Sequence, residues 1–374
     1  MSEFTVKLDG IRQRVARSLY AELKAVPDAE ALEVGHSLGV IAVQFGNPGR
    51  LVAVEIVIDP PPWARAIVSD LTDMDRAPQP LAGEPLVFTL PDDVYFEYAF
   101  IDQHGAMRAD PANPDRADNP WYPEVSAIKG PAYRPDPYAV PKRQATGKVV
   151  RHRLTSRALD QPRRIITYTP VGCETHKLPT LYVQDGLAYY RIGRLADVLE
   201  ALLESGLVRP ARLVFIEPVD RAKEYAYNQA YRRFMVDELL PWLERRLLNT
   251  GERMALGASL GGLVSAVLAL EHPELFQAVA TQSGAFLGTP TDPDYYRSER
   301  SWVAEQLTQG RAQAVRWYID SGTLEWLYPV NRRVAAALEH GGYRYAYAER
   351  HAGHNWINWR NGLAAALRYV LPPG

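Results

Sequence analysis

The run Arg253-Met254-Ala255-Leu256-Gly257-Ala258-Ser259-Leu260-Gly261-Gly262-Leu263 constrains this chain more than any other stretch. It fits G-x-S-x-G and reads as strand, sharp turn and helix. The small residues around Ser259 let the backbone turn tightly, which pushes the serine hydroxyl outward. The helix that follows aims its first backbone N–H groups at the point where an oxyanion would form. Gly and Ser are common, so the surroundings supply the specificity. Met254-Ala255-Leu256 is a short apolar strand after the turn residues Asn249-Thr250-Gly251. Leu263, Val264, Val267, Leu268 and Leu270 form an apolar helix that ends near Glu271-His272-Pro273, and a strand, Ala278 to Gly284, comes next. A glycine-rich turn with an incidental serine is the competing reading. With strand and helix both in place, Ser259 is expected to be a nucleophile.

A serine hydroxyl is a poor nucleophile until a base takes its proton. In an α/β sheet with this elbow, the acid and then the base follow the serine along the chain. Three histidines, His340, His351 and His354, lie in the last part of the sequence. His340 ends an apolar-periodic helix just before Gly341-Gly342. His351 ends the strand Tyr343 to Arg350. His354 lies in the loop Ala352-Gly353-His354-Asn355-Trp356, before the last helix, Trp359 to Val370, where the base belongs. His351-x-x-His354 has no further Cys or His beside it, so a metal site is not expected. Two carboxylates compete for the acid. Asp320 closes the strand Val315 to Gly322, and Glu325 stands on the loop beyond it, with more reach toward the His354 loop. Glu325 is preferred and Asp320 held in reserve; a helix-start carboxylate is the plainer reading of Glu325.

Net charge is −2 with mixed signs, so nothing points to nucleic acid or an anionic membrane surface. The lone Cys173 excludes an internal disulfide and a cysteine metal cluster. Met1 to Tyr20 lacks the apolar core of a signal peptide, and there is no run of 18 apolar residues, so a soluble cytoplasmic protein is expected.

Two regions differ in pattern. After a short amphipathic helix over Ile11 to Val26, the strand candidates are Gly39 to Phe45, Leu51 to Ile58, Ala66 to Asp70, Leu86 to Leu90 and Val94 to Ile101. Pro, Gly and Asp clusters separate them, which suggests a β-sandwich. A proline-dense stretch from Asp110 to Pro141 reads as a stiff extended linker. Beyond it come strands at Gly147 to Leu154, Arg164 to Thr169 and Thr180 to Gln184, a helix from Ile192 to Leu203, the strand Arg212 to Glu217 and a helix from Asn228 to Leu248. Alternating strands and helices indicate a mostly parallel sheet covered on both faces. The domains are expected at 1–140 and 141–374.

Residues 145–374 resemble the esterase branch of the α/β-hydrolases, most closely the enterochelin esterase type. The stretches that carry this are Leu181-Tyr182-Val183-Gln184-Asp185-Gly186, Asp220-Arg221-Ala222-Lys223-Glu224-Tyr225 with Glu238-Leu239-Leu240-Pro241, Gly257 to Gly262, and Gly353-His354-Asn355-Trp356 with Trp359-Arg360. Tyr98-Ala99-Phe100-Ile101-Asp102, Gly105 and Asp110-Pro111-Ala112-Asn113-Pro114 resemble the sandwich that precedes the hydrolase in that family. The implied fold is an α/β-hydrolase with a doubly wound, mostly parallel sheet, preceded by an all-β immunoglobulin-like sandwich. The resemblance implies a serine carboxylic ester hydrolase with Ser259, His354 and Glu325 as its triad. It implies oxyanion donors at Leu260 and at the Asp185-Gly186-Leu187 turn, with Gly186 and Leu187 the candidates there. Arg221, Trp326 and Trp356 are the substrate-binding candidates, and no cofactor or metal is expected. The implied partner is a small-molecule ester, of which a ferric catecholate siderophore is one case. Related enzymes act on acetyl, feruloyl and other simple or carbohydrate esters, and some transfer acyl groups. A non-catalytic glucan-binding protein on the same scaffold is the reading of a different class, with Trp63, Trp121 and Tyr122 as stacking platforms. The intact Ser259, Glu325 and His354 set argues against it. The N-terminal region is expected to shape the substrate cleft rather than to bind glucan on its own.

Overall fold

A computed structural model of the protein describes residues 29–33, 40–45, 53–292 and 294–373. The helix expected over Ile11 to Val26 lies outside the described residues. The chain divides into two compact units. The first holds residues 1–135, 322–328 and 349–358, and the second holds 136–321, 329–348 and 359–374.

The first unit carries two antiparallel sheets. One has the order β1 (Ala29–Glu33), β2 (Val40–Phe45), β3 (Ala53–Ile58), β6 (Leu86–Pro91). The other runs β5 (Gln79–Pro80), β4 (Ala64–Ser69), β7 (Tyr95–Asp102), β8 (Met107–Arg108), with β9 (Ser126–Lys129) also paired to β7. Val54, Ile56 and Ile58 of β3, Ile67 of β4, and Phe96, Tyr98 and Phe100 of β7 meet in one core. Period-two alternation puts those side chains on one face of each strand. The other face of β7 is buried too, through Tyr95 and Ala99. That is why β7 reads as a nearly unbroken apolar run. The proline-dense stretch is not an extended linker throughout. Its prolines leave Ser126–Lys129 clear, and these four residues pair with β7.

The second unit is built on an eight-stranded sheet. Its strands are β10 (Lys148–Ser156), β11 (Gln161–Thr169), β12 (Leu178–Val183), β13 (Arg212–Ile216), β14 (Asn249–Ala258), β15 (Ala278–Gln282), β16 (Arg316–Gly322) and β17 (Tyr345–Arg350). The spatial order is β10-β11-β13-β12-β14-β15-β16-β17. β10, β11 and β13 pair antiparallel; β13, β12, β14, β15 and β16 pair parallel. The sheet is therefore mixed, with the antiparallel strands β10 and β11 at one side. The chain adds β13 on one side of β12 and then returns to add β14 on the other. The carboxyl ends of β12 and β14 thus flank a point where winding direction reverses, the usual place for a ligand crevice.

Helices α1 (Gly186–Arg191) and α2 (Leu195–Glu204) follow β12, and α3 (Arg221–Tyr225) follows β13. The single helix expected from Asn228 to Leu248 is three pieces: α4 (Gln229–Arg233), a π-helical turn over Phe234–Leu239, and α5 (Leu240–Glu244). Pro241 has no N–H to donate and its ring crowds the carbonyl four residues back, so the helix widens just before it. α6 (Leu260–Glu271) is buried at every residue up to Leu270, consistent with its apolar composition on all sides. α7 (Trp302–Thr308), α8 (Tyr328–His340) and α9 (Trp356–Val370) complete the helices named here.

Arg163 of β11 is fully buried and donates twice to Glu224 of α3, at 2.9 and 2.8 Å. Glu224 also accepts the backbone N–H of Asp220 at 3.0 Å. Removing one member of a buried pair strands the other charge. Arg163→Met should destabilise the protein by about 3–5 kcal/mol. Arg163→Met with Glu224→Leu should lose clearly less, measured as urea unfolding of both variants beside the wild type.

Candidate active site

Ser259 sits between β14 and α6 with φ 55° and ψ −123°. A non-glycine residue pays for such a conformation, so the surroundings must hold it there. They do so through the backbone. The Ser259 N–H donates to the carbonyl of Gln282 at 2.9 Å, and the Ser259 carbonyl accepts from Leu263 and Ala285, each at 3.0 Å. The flanking glycines are required by contact. A Cβ on Gly257 would lie 2.3 Å from the Gly261 carbonyl carbon and oxygen. A Cβ on Gly261 would lie 2.9 Å from a carboxylate oxygen of Asp185.

Asp185 links this turn to the end of β12. It is itself left-handed, at φ 52°, and its N–H donates to the Tyr225 hydroxyl at 2.9 Å. Arg221 grips the Asp185 carboxylate with two bonds of 2.7 and 2.8 Å and donates to the carbonyl of Ala258 at 3.1 Å. Burial works against the Arg221 charge, but the Asp185 carboxylate outweighs it and drives the guanidinium pKa further up. The two backbone stretches expected to donate to an oxyanion, 185–187 and 258–260, are thus tied by one guanidinium. Arg221, a substrate-binding candidate from the sequence, is committed to this brace. Leu187 is also engaged: its N–H donates to the Glu217 carboxylate at 2.8 Å. Burial raises the Glu217 pKa, partly offset by this bond.

A polar network supports the elbow from below. Gln282 accepts from the Tyr189 hydroxyl at 3.0 Å and donates to the Trp359 carbonyl at 2.9 Å. Its amide also donates to Asp320 at 3.2 Å. Asp320, the reserve acid, is fully buried in this network.

Glu325 and His354 lie in the other unit, on the segments that follow β16 and β17. Nδ1–H of His354 donates to a carboxylate oxygen of Glu325, and the other oxygen accepts the Gly322 N–H at 2.9 Å. Glu325 is almost wholly buried. The Trp326 ring lies 4.5 Å from the His354 ring. Trp356 is buried, with its ring 6.1 Å from Trp121, so it offers little surface to a ligand. His351 pairs instead with Asp93, and its carbonyl accepts from Tyr95 at 2.8 Å. Trp63 packs edge-on against Phe100 at 6.1 Å, and Tyr122 packs against the small cluster around Val68 and Ala99. Both are therefore occupied in packing rather than presented as platforms.

The residues that sequence reading missed are those that hold the histidine loop. Asp70 is buried and accepts from the Asn355 side chain at 3.2 Å and from the Glu97 N–H at 2.8 Å. A Cβ on Gly353 would come within 1.9 Å of an Asp70 carboxylate oxygen. Leu324 donates to the Ala352 carbonyl at 3.1 Å, joining the Glu325 loop to the His354 loop. An acidic residue two places after the apolar run Ala66-Ile67-Val68 was the available signal; its partner lies 285 positions away.

The family profile described as "Putative esterase" matches residues 156–370. The chain belongs to that esterase family. It is 30% identical over 291 residues to an iron(III) enterobactin esterase of Dickeya dadantii, covering 70% of this chain and 65% of the relative. The chain thus aligns with slightly under two thirds of that relative's length. Its fold is similar to the ferric enterobactin esterase of Salmonella typhimurium, with TM-score 0.70 at 19% identity over 94% of this chain and 98% of that one. A ferulic acid esterase shares the fold over 61% of this chain and 98% of its own, with TM-score 0.54 at 23% identity. Among the described residues no helix is long and apolar enough to cross a membrane.

The site yields a pH test. Burial, then the nearby Glu97 charge, holds the Asp70 pKa well above the ordinary aspartate range. The folded state then keeps a proton that the unfolded chain releases above about pH 4. Stability is therefore lost as pH rises from there through the raised value, with a limiting slope of about 1.4 kcal/mol per pH unit for one proton. Asp70→Asn should flatten this decline in urea unfolding measured at rising pH above about pH 4. An unchanged slope would remove Asp70 from the account.

Proposed function

We propose that this protein is a serine carboxylic ester hydrolase that works through an acyl-enzyme, with Ser259 as nucleophile, His354 as base and Glu325 as the acid that orients it. The observation that carries the reading is Ser259 at φ 55° between β14 and α6, inside the span matched by the esterase family. The His354–Glu325 bond supports it, because it fixes the proton on Nδ1 and leaves Nε2 to act as base.

In this reading Ser259 Oγ attacks the ester carbonyl carbon while His354 Nε2 takes its proton. The carbonyl oxygen gains negative charge and is held by the Leu260 N–H and by the turn at 185–187. Gly186 serves there directly; Leu187 serves only once Glu217 releases its N–H. The carbon–oxygen bond to the alcohol then breaks, and His354 protonates the leaving alkoxide. Water attacks the acyl-enzyme, gives a proton to His354, and Ser259 recovers it as the acid departs. Arg221 acts by holding the donors in register rather than by touching substrate, and Trp326 lines the space beside His354.

The names of the relatives favour a catecholate siderophore ester as substrate. A second reading, a feruloyl, acetyl or other acyl esterase, is favoured by the likeness to a ferulic acid esterase. We read the chain as domains 1–140 and 141–374. The first is an immunoglobulin-like sandwich, supported by two antiparallel sheets that share a core. The chain's lone cysteine, Cys173, suits the cytoplasm, where we place the protein.

Turnover of p-nitrophenyl esters of rising chain length, feruloyl esters and ferric catecholate esters separates the two substrates. Ser259→Ala should lower kcat by a factor on the order of 10⁴ or more with the fold kept, and abolish labelling by a fluorophosphonate. Near-wild-type turnover in folded Ser259→Ala would sink the proposal. Glu325→Gln should cost more activity than Asp320→Asn. The reverse order, in variants with unchanged circular dichroism, would move the acid to Asp320.

A further inference from the structure

The antiparallel side of the large sheet carries an unusual arrangement of charge. Arg153 of β10 stands directly opposite Arg164 of β11, and Arg151 stands opposite Ile166. Directly opposed residues share a face, as do residues two apart on one strand, so Arg151, Arg153 and Arg164 project to one side. Ile166 is opposite Phe215 of β13, which extends the same face inward. Helix α1 adds Arg191 and Tyr190, whose ring is 5.3 Å from Phe215. Together they line a cleft of about 940 Å³. Among the described residues four arginines line it against one carboxylate, Glu217, and all four are exposed.

Like charges directly opposite on neighbouring strands destabilise a sheet. Charge on an edge strand is common because it blocks edge-to-edge pairing. That accounts for Arg151 and Arg153, since β10 is the edge. It does not account for Arg164, which lies on the interior strand β11, or for Arg191 on a helix. Nor does it account for an apolar floor of Ile166, Phe215 and Tyr190 beneath the guanidinium groups. The contrast with Arg163 is direct: that residue, just before Arg164 on β11, points the other way and has its own buried acid, Glu224.

We propose that this cleft binds a small molecule carrying at least two carboxylates on an aromatic ring. The arginines supply paired N–H donors matched to carboxylate geometry, and the apolar floor takes the ring. The volume suits a ligand of that size. The proposal does not depend on the catalytic reading, because its test reads binding alone.

Calorimetric titration of the full chain with benzene-1,3,5-tricarboxylate, benzoate and citrate provides that test. The tricarboxylate should bind saturably, at least about tenfold more tightly than benzoate, and weaken steeply with added salt. Arg153→Gln with Arg164→Gln should lose about tenfold or more of that affinity, whereas Arg297→Gln, at an exposed arginine elsewhere, should keep it. Without ligand, Arg153→Gln should raise the melting temperature by relieving the opposed charges, which also shows that the variant folds. No saturable binding, or equal affinity in the double variant and the Arg297 control, would overturn the site. Citrate binding as tightly as the tricarboxylate would overturn the role of the apolar floor.

Discussion

The constraint on which the candidate site depends is the left-handed backbone at Ser259. A serine at φ 55° is held only if the strand before it and the helix after it are fixed independently. β14 is fixed by parallel partners on both sides, β12 and β15, and α6 by burial on every face. The turn can then be sharp because Gly257 and Gly261 approach with no Cβ between them. The same closeness brings Asp185 against Gly261, so the end of β12 cannot move without disturbing the elbow. Arg221 makes that coupling rigid. Its planar fork holds two carboxylate oxygens and a carbonyl at once, which a lysine could not reproduce.

Glu325 and His354, the proposed acid and base, are secured by different means. Their loops are short and polar, and backbone bonds to each other and to β7 hold them: Leu324 to Ala352, and Tyr95 to His351. Asp70 then fills the space that a side chain at Gly353 would need and accepts from Asn355. Placing Asp70 beside Glu97 in a buried site costs stability when both are ionised. An apolar residue at position 70 would avoid that cost and lose the acceptors for Asn355 and the Glu97 N–H. The arrangement trades stability for one position of the histidine loop.

Local patterns were legible in the sequence. The elbow, the strand at Ala278, the last strand and the histidine loop all follow from short-range periodicity and turn chemistry. Glu325 is preferred to Asp320 in the sequence because a loop residue reaches farther than one inside a strand; in the structure Asp320 accepts from the Gln282 amide. The missed features depend on distant partners or on backbone effects. Ser126–Lys129 looks like linker because prolines surround it, and only its pairing with β7 makes it a strand. Pro241 signals a break in a helix, but not that a π-helical turn would absorb it. Arg221 looks like a cation awaiting an anion; its partner Asp185 lies 36 positions earlier, in a turn whose shape the sequence does not specify.

The three arginines discussed separate what a charge does by what surrounds it. Arg163 is fully buried, and a cation there is tolerable only because Glu224 receives it in two bonds. Its contribution is to anchor α3 on β11, which in turn sets where Arg221, the first residue of α3, can reach. Arg221 is partly exposed yet equally committed, and its position lets one residue align the two backbone stretches of the site. Arg164 neighbours Arg163 on the same strand but faces the opposite side, where the lining of the cleft offers four guanidinium groups a single carboxylate. The period of two along β11 thus sends one arginine into the scaffold and the next into an open cleft. A charge with a matched internal partner organises the fold; among the described residues the four cleft arginines face one carboxylate, Glu217, and the proposed ligand rests on that imbalance.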